Sequence, residues 1–223
     1  MISVIIPFLN EERVLPATLA ALFASPVPIE AIAVDSGSID GSRRVLACYP
    51  QVQVIAAERG RAQQMNAGAR AAHGSLLLFL HADTQLPSTA LSTLLSRSAD
   101  QDFRWGGFRH AFSGADWRLR FISWLHNHRC RFTGVFYGDQ ALFVRRDLFE
   151  RAGGFPLRKM EEIALSERLL LMASPSLIDL AVVTDSRKFV RMGIWKSLGR
   201  VATILVCVRF GWRYPSAFFA DVR

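Results

Sequence analysis

The chain has 223 residues, of which 51% are apolar and 21% charged, and its formal net charge is +8. That length and composition can bury a full core, which excludes a disordered chain. The excess of cations implies an anionic partner: nucleic acid, a phosphate-rich ligand or acidic lipid.

The apolar run at residues 2–6 predicts a first strand, ending abruptly in Pro7-Phe8-Leu9-Asn10-Glu11-Glu12. Residues 11–24 then carry Val14, Leu15, Thr18, Leu19, Leu22 and Phe23 at helical spacing, closed by Pro26 and Pro28. A second strand at residues 31–34 runs into Asp35-Ser36-Gly37-Ser38-Ile39-Asp40-Gly41-Ser42, where Asp40 or Ser42 can cap a helix reaching about Ala47. A strand at residues 52–56, a helix at 61–72 and a strand at 76–80 follow, the last ending in His81-Ala82-Asp83-Thr84. Strands alternating with helices at this pace predict a right-handed parallel α/β sheet. Ligands of such sheets bind at the carboxyl ends of strands, so three polar strand ends with acidic residues imply one shared site.

The second half is less regular. Residues 105–114 predict a strand of mixed facing. Residues 116–131 predict a helix with Trp117, Phe121, Trp124 and Leu125 on its apolar side. His126 and His128, two apart on that helix, point about 200° from each other and are not expected to share a metal. The stretch from Trp124 to Arg131 reads as ligand-side or membrane-facing surface. Gly138-Asp139-Gln140 precedes a strand at 141–144, a short helix from Arg146, the turn Gly153-Gly154-Phe155-Pro156 and a helix at 161–172. Between Arg187 and Arg213 lie seven Lys or Arg residues and no acid, interleaved with Phe189, Trp195, Phe210 and Trp212. The apolar part of that segment is too short to span a bilayer. It suits a helix lying on a membrane surface or a terminal helix with a basic outer face. Cys48, Cys130 and Cys207 form no CxxC pair, which suits a reducing compartment. No signal peptide precedes the first strand, and the expected location is cytoplasmic, with association at the inner face of the membrane in view.

Together these residues resemble a family 2 glycosyltransferase of the GT-A fold over roughly residues 2–210. The resemblance rests on Ile5-Ile6-Pro7-Phe8-Leu9-Asn10-Glu11-Glu12, Val34-Asp35-Ser36-Gly37-Ser38 and Gly60-Arg61-Ala62-Gln63-Gln64-Met65-Asn66-Ala67-Gly68. His81-Ala82-Asp83, Gly138-Asp139-Gln140 and Gly153-Gly154-Phe155-Pro156 ahead of Met160-Glu161-Glu162 continue it. The Gly-Arg-Ala-x-Gln-Met-Asn-x-Gly run and the His-Ala-Asp triplet resemble one small bacterial subgroup. The implied architecture is a single α/β domain over 1–223. Residues 1–100 form its nucleotide-binding half, 101–186 its acceptor and catalytic half, and 187–223 a basic amphipathic segment.

The implied activity is inverting transfer of a sugar from a nucleoside-diphosphate donor, with a UDP-sugar as the default and no nucleic-acid partner. Donor-binding candidates are Pro7, Asn10, Glu11, Asp35, Arg61, Asn66, His81, Asp83 and Gln140. Asp83 stands where the family's Asp-x-Asp motif presents its last aspartate, so it would hold Mg²⁺ or Mn²⁺ against the two phosphates. His81 takes the place of the first aspartate and could meet a ribose hydroxyl or Mn²⁺. Arg61, at a helix start, suits phosphate oxygens. Glu162 matches the family's catalytic aspartate, with Glu161 as the competing base; Asp139 would hold donor-sugar hydroxyls. The basic segment would suit a lipid-linked or membrane acceptor. The rival readings are a degenerate nucleotide-sugar-binding protein and a nucleotidyltransferase, the latter disfavoured by the absence of a Gly-rich basic loop after the first strand. The absence of Gly-x-Gly-x-x-Gly argues against a dinucleotide reductase.

Overall fold

A computed structural model describes residues 1–157, 160–191, 193–196, 198–199 and 202–203. The first strand, β1 (Ile2–Phe8), is buried along its whole length because it sits inside a parallel sheet covered on both faces. It pairs in parallel with β2 (Ile29–Asp35) on one side and β4 (Leu76–Phe79) on the other, and β2 pairs with β3 (Val52–Ala56). The helices between them are α1 (Leu15–Phe23), α2 (Ser42–Ala47) and α3 (Arg61–Ala71). Helix α1 starts four residues later than the apolar spacing predicts. Pro16, which lacks an N–H, belongs to its first turn, and Glu11 to Val14 form a separate turn.

The same sheet continues through the second half. After β5 (Thr84–Gln85) and α4 (Ala90–Arg97) come β6 (Trp105–Phe112), the long helix α5 (Trp117–Thr133) and a 3₁₀ turn, Gly138–Gln140. Then follow β7 (Phe143–Arg145), α6 (Arg146–Arg151), α7 (Glu161–Leu170), β8 (Ser176–Thr184) and α8 (Arg187–Arg191). The strand order is β3-β2-β1-β4-β7-β6-β8-β5. Strand β7 enters antiparallel to both β4 and β6, so the direction of the sheet changes beside β4, where His81 and Asp83 emerge. Ile2, Val4, Ile6 and Phe8 pack into one apolar layer with α1 and α4, while Ile5, Ile32 and Val34 pack into the opposite layer with α3, α6 and α7.

Two features depart from the sequence expectation. Helix α4 and strand β8 were not expected, although Leu91 and Leu94 recur at helical spacing and β8 is rich in aliphatics. The apolar side of α5 faces outward rather than into the core. Trp117, Phe121, Trp124 and Leu125 are exposed, and the helix buries Leu119, Ile122, Ser123 and Cys130 instead. The physical reason is that α5 docks on β6 through polar staples. Asn127 accepts from the His110 N–H and donates to the His110 carbonyl, and the Ser123 hydroxyl accepts from the Phe112 N–H. A face built for hydrogen bonding is therefore less apolar than the face left outside. The described part of the basic C-terminal segment packs Phe189, Ile194 and Leu198 against Leu119 and Ile122, with Trp195 exposed; Phe210 and Trp212 lie outside the described residues. Among the described residues Cys48 and Cys130 are free thiols.

Candidate active site

The ends of β1 and β2 are tied together by their own loops. The Asn10 and Glu11 N–H groups donate to the Ser38 and Ser42 hydroxyls, and the Glu12 N–H donates to Asp40. In return, Asn10 Oδ1 accepts from the Ile39 N–H and Glu12 from the Gly41 N–H. Asp40 also accepts from the Ser42 N–H, although Gly41, and neither Asp40 nor Ser42, occupies the N-cap position of α2. Asp35 is fully buried, and its carboxylate accepts from the Gly37 and Ser38 N–H groups, the Ser38 hydroxyl and Arg43. Burial works against its charge, but these donors hold its carboxyl below the usual range. Pro7 is buried in β1 opposite Val34, and Glu11 is paired with Arg187 at 2.5 Å, bringing the start of α8 over the same loops. A residue that sequence reasoning passed over sits beneath them. The buried Gln64 side chain donates to both the Phe8 and Val34 carbonyls at 2.7 Å and fixes the gap between the two strand ends.

The chemistry-bearing residues gather around Arg61 at the start of α3. Its guanidinium lies 3.8 Å from Glu162 and carries the electrostatic influence of Glu162, Glu161, Asp83 and Asp139 together. Partial burial opposes that charge, yet the carboxylates raise the guanidinium pKa above its ordinary value. These acids come from the end of β4, the 3₁₀ turn and the first turn of α7, so the fold collects what the sequence scatters. His81 Nε2 is 3.3 Å from Glu162 Oε1, which directs this histidine towards the expected base. The turn passes so close that a Cβ on Gly138 would lie 2.2 Å from His81 and 2.4 Å from Glu162, so a side chain there would have to push both groups aside.

The two glutamates differ. Burial alone would raise both; His81 and Arg61 outweigh it at Glu162 and hold that carboxyl below its usual value. Glu161 is pushed up to about 7 by burial and by the neighbouring Glu162. Met160, immediately before them, has φ 62°, and Asn10 and Ala141 are likewise left-handed. Non-glycine residues pay strain there, and all three such positions among the described residues border candidate site residues.

Asp139 faces a second set of partners that the sequence did not bring together. His110 on β6 and His126 on α5 lie 3.6 and 3.8 Å from its Oδ2. Against burial, His126, His110, His81 and Arg129 keep the Asp139 carboxyl below its usual value. Burial pushes His126 down to about 4 and lowers His110, favouring the neutral ring in both. His128 sits on the other side of α5 against Trp124, as the helical spacing predicts. The available signal for His110 was its position two residues after the core residue Phe108, which puts a histidine in a buried row.

Two candidates are committed elsewhere. Gln140 is fully buried; its amide donates to the Phe108 carbonyl and accepts from the Tyr137 N–H. Asn66 donates to the Phe155 carbonyl and accepts from the Phe155 N–H, stapling α3 to the turn after α6.

Residues 3–159 match the sequence pattern of Glycosyl transferase family 2. Over 121 residues, 49% of the chain, it is 35% identical to an undecaprenyl-phosphate 4-deoxy-4-formamido-L-arabinose transferase of Photorhabdus laumondii, a match taking in 37% of that protein. Over 116 residues, 52% of each chain, it is 29% identical to an uncharacterized glycosyltransferase of Mycobacterium tuberculosis. The chain thus spans about half or less of the relatives it matches. Its fold is similar to a mannosyltransferase of Pyrobaculum calidifontis solved with GDP-Man and Mn²⁺, with TM-score 0.63 and 24% identity over 82% of this chain and 56% of that one. It is also similar to TarS of S. aureus, residues 1–349, with TM-score 0.69 and 17% identity over 99% of this chain and 69% of the other. These likenesses bear out the α/β GT-A architecture. With the family pattern covering more than half of its length, the chain belongs to Glycosyl transferase family 2.

Proposed function

We propose that the protein is an inverting glycosyltransferase that moves a sugar from a nucleoside-diphosphate donor onto an acceptor hydroxyl, with Glu162 as general base. The observation that carries this reading is the gathering of Asp83, Asp139, Glu161 and Glu162 around Arg61 at the strand ends. A cation among carboxylates beside a helix N-terminus suits a diphosphate held with a divalent ion. Asp83 would hold Mg²⁺ or Mn²⁺, a hard ion that neutralises the leaving diphosphate; Arg61 would take phosphate oxygens. His81 acts through Glu162, aligning its carboxylate and keeping it ionised. Asp139, part-exposed in the turn, would receive donor-sugar hydroxyls. Asp35, Asn10, Pro7 and Glu11 shape the nucleoside end through the braced β1 and β2 loops. Asn66 and Gln140 contribute as scaffolding.

Similar structures solved with GDP-Man and Mn²⁺ or with UDP-GlcNAc support a nucleotide-sugar donor, and a UDP-sugar is the first to test. The test is a thermal-shift panel of nucleoside diphosphates and their sugars, each with and without Mn²⁺. At a hundredfold excess over its dissociation constant a bound donor adds about 2.7 kcal/mol of stability. No stabilisation by any member of the panel would reject the reading.

A membrane-borne acceptor fits both the relative that acts on undecaprenyl phosphate and the outer face of α5. Trp117, Phe121, Trp124 and Phe132 project there beside the exposed Arg120 and Arg131, an aromatic and cationic face matched to an anionic bilayer surface. No helix among the described residues is long and apolar enough to cross a membrane. Trp124→Ala with Phe121→Ala is expected to cut binding to anionic vesicles at least tenfold in a flotation assay, with the melting temperature unchanged because both rings are exposed. Equal flotation of variant and wild type would remove this face from the proposal.

A further inference from the structure

We propose that His110, His126 and Asp139 form a binding site for one borderline transition-metal ion of the Zn²⁺ class, separate from the diphosphate-bridging ion expected at Asp83. Three elements distant in sequence each supply one ligand atom, from β6, α5 and the 3₁₀ turn, and these atoms lie within 4.8 Å of one another. The separations from Asp139 Oδ2 to His110 Nε2 and His126 Nδ1, 3.6 and 3.8 Å, are too long for hydrogen bonds. They are near the roughly 3.4 Å between ligand atoms of a tetrahedral zinc site with bonds of about 2.0–2.2 Å. The three groups therefore converge on a point without satisfying one another.

Burial makes that convergence informative. The His110 side chain is inaccessible to solvent, and neither of its ring nitrogens has a hydrogen-bond partner; His126 Nε2 and Asp139 Oδ1 are also buried without one. Buried polar atoms are nearly always paired in folded proteins; of these four, His110 Nε2 is itself one of the three converging ligand atoms, and this unpaired buried nitrogen aimed at Asp139 points to an ion. The arrangement is also held in place. Asn127, next to His126, grips the backbone of His110 from both sides, and the two imidazoles face each other with centroids 5.0 Å apart. Two imidazoles and one carboxylate favour Zn²⁺, Co²⁺ or Mn²⁺ over Mg²⁺ or Ca²⁺. Three protein ligands leave a coordination position open, and Asp139, the most exposed of the three, sets its direction. The oxygen ligand for that position is a sugar hydroxyl; this last step rests on the glycosyl-transfer reading, whereas the ion site does not.

The experiment uses the tag-free full chain, stripped with chelator and titrated with Co²⁺ and then Zn²⁺. Wild type is expected to take up one equivalent of Co²⁺ with the intense visible bands of a four-coordinate site, and Zn²⁺ should displace it while excess Mg²⁺ does not. His126→Gln and His110→Gln should each weaken Zn²⁺ binding by at least about 100-fold, whereas Asp83→Ala and His128→Gln should leave it unchanged. Absence of stoichiometric uptake by the folded wild type, or undiminished Zn²⁺ affinity in His126→Gln, overturns the proposal. Should His110→Gln not fold, the wild-type Co²⁺ spectrum and His126→Gln decide alone. A protein that binds Zn²⁺ here but no nucleotide sugar keeps this site and rejects the donor reading; the reverse result does the opposite.

Discussion

Glu162→Gln is expected to lower sugar transfer by about a hundredfold to ten-thousandfold while leaving donor binding nearly intact, because it removes a proton acceptor without removing volume. Glu162 is singled out from Glu161 by its surroundings. It lies against His81 and Arg61 and beneath Gly138, where three segments of the site meet. Both neighbours favour its ionised form, so it enters the reaction able to accept a proton. Single-turnover transfer and donor affinity, measured on the same preparation, separate the two effects. Near-normal turnover would move the base to Glu161.

Glu161→Gln is the companion measurement, and its sign is opposite. The folded-state pKa of Glu161, about 7, lies above its ordinary 4.5, so the folded protein binds more protons between those values. Its contribution to stability is fully present below pH 4.5 and is lost as pH rises to about 7. Removing the charge should therefore stabilise the protein at pH 8 by an amount on the order of 2 kcal/mol and change nothing at pH 4. Melting curves at the two pH values check this. A variant no more stable at pH 8 would mean that Glu161 is neither buried nor crowded by Glu162.

How much of this was legible depended on whether the physical signal was local. Strands β1 to β4 could be read because buried parallel strands are short apolar runs ended by turn residues, and β3 has the predicted bounds. The carboxylates were legible as residues of the right type, but their gathering around Arg61 was not, since it depends on β7 entering antiparallel beside β4. Helix α5 shows the converse failure. Its inner face carries Ser123, His126, Asn127 and Arg129 because it meets a polar site and the backbone of β6. Hydrophobicity therefore marks the face of this helix that stays outside. The His110 and His126 pair escaped notice for the same reason: each histidine is unremarkable in its own segment, and only the packing of α5 on β6 joins them.

Asp83→Ala tests the other end of the proposed reaction, where the donor's diphosphate would leave. The Asp83 backbone carbonyl accepts from the Asp185 N–H, linking the segment after β8 to the end of β4, and this bond survives truncation of the side chain. The variant is thus expected to fold with the loop in place and to lose one function, the coupling between metal and nucleotide. In the wild type, saturating nucleoside diphosphate with Mn²⁺ should raise the melting temperature by about 5–10 °C, since about 2.7 kcal/mol acts on a domain that shifts about 2–4 °C per kcal/mol. In Asp83→Ala the part of that rise that requires Mn²⁺ should vanish, leaving the smaller contribution of Arg61 to the phosphates. The informative quantity is the metal-dependent increment in nucleotide stabilisation, not the effect of Mn²⁺ alone, because an ion held by His110, His126 and Asp139 would stabilise both proteins equally. An undiminished increment in Asp83→Ala would place the diphosphate ion on other ligands and remove Asp83 from the donor site. A lost increment together with unchanged Zn²⁺ uptake would make the two ions independent, one serving the leaving group and the other the Asp139 side of the cleft.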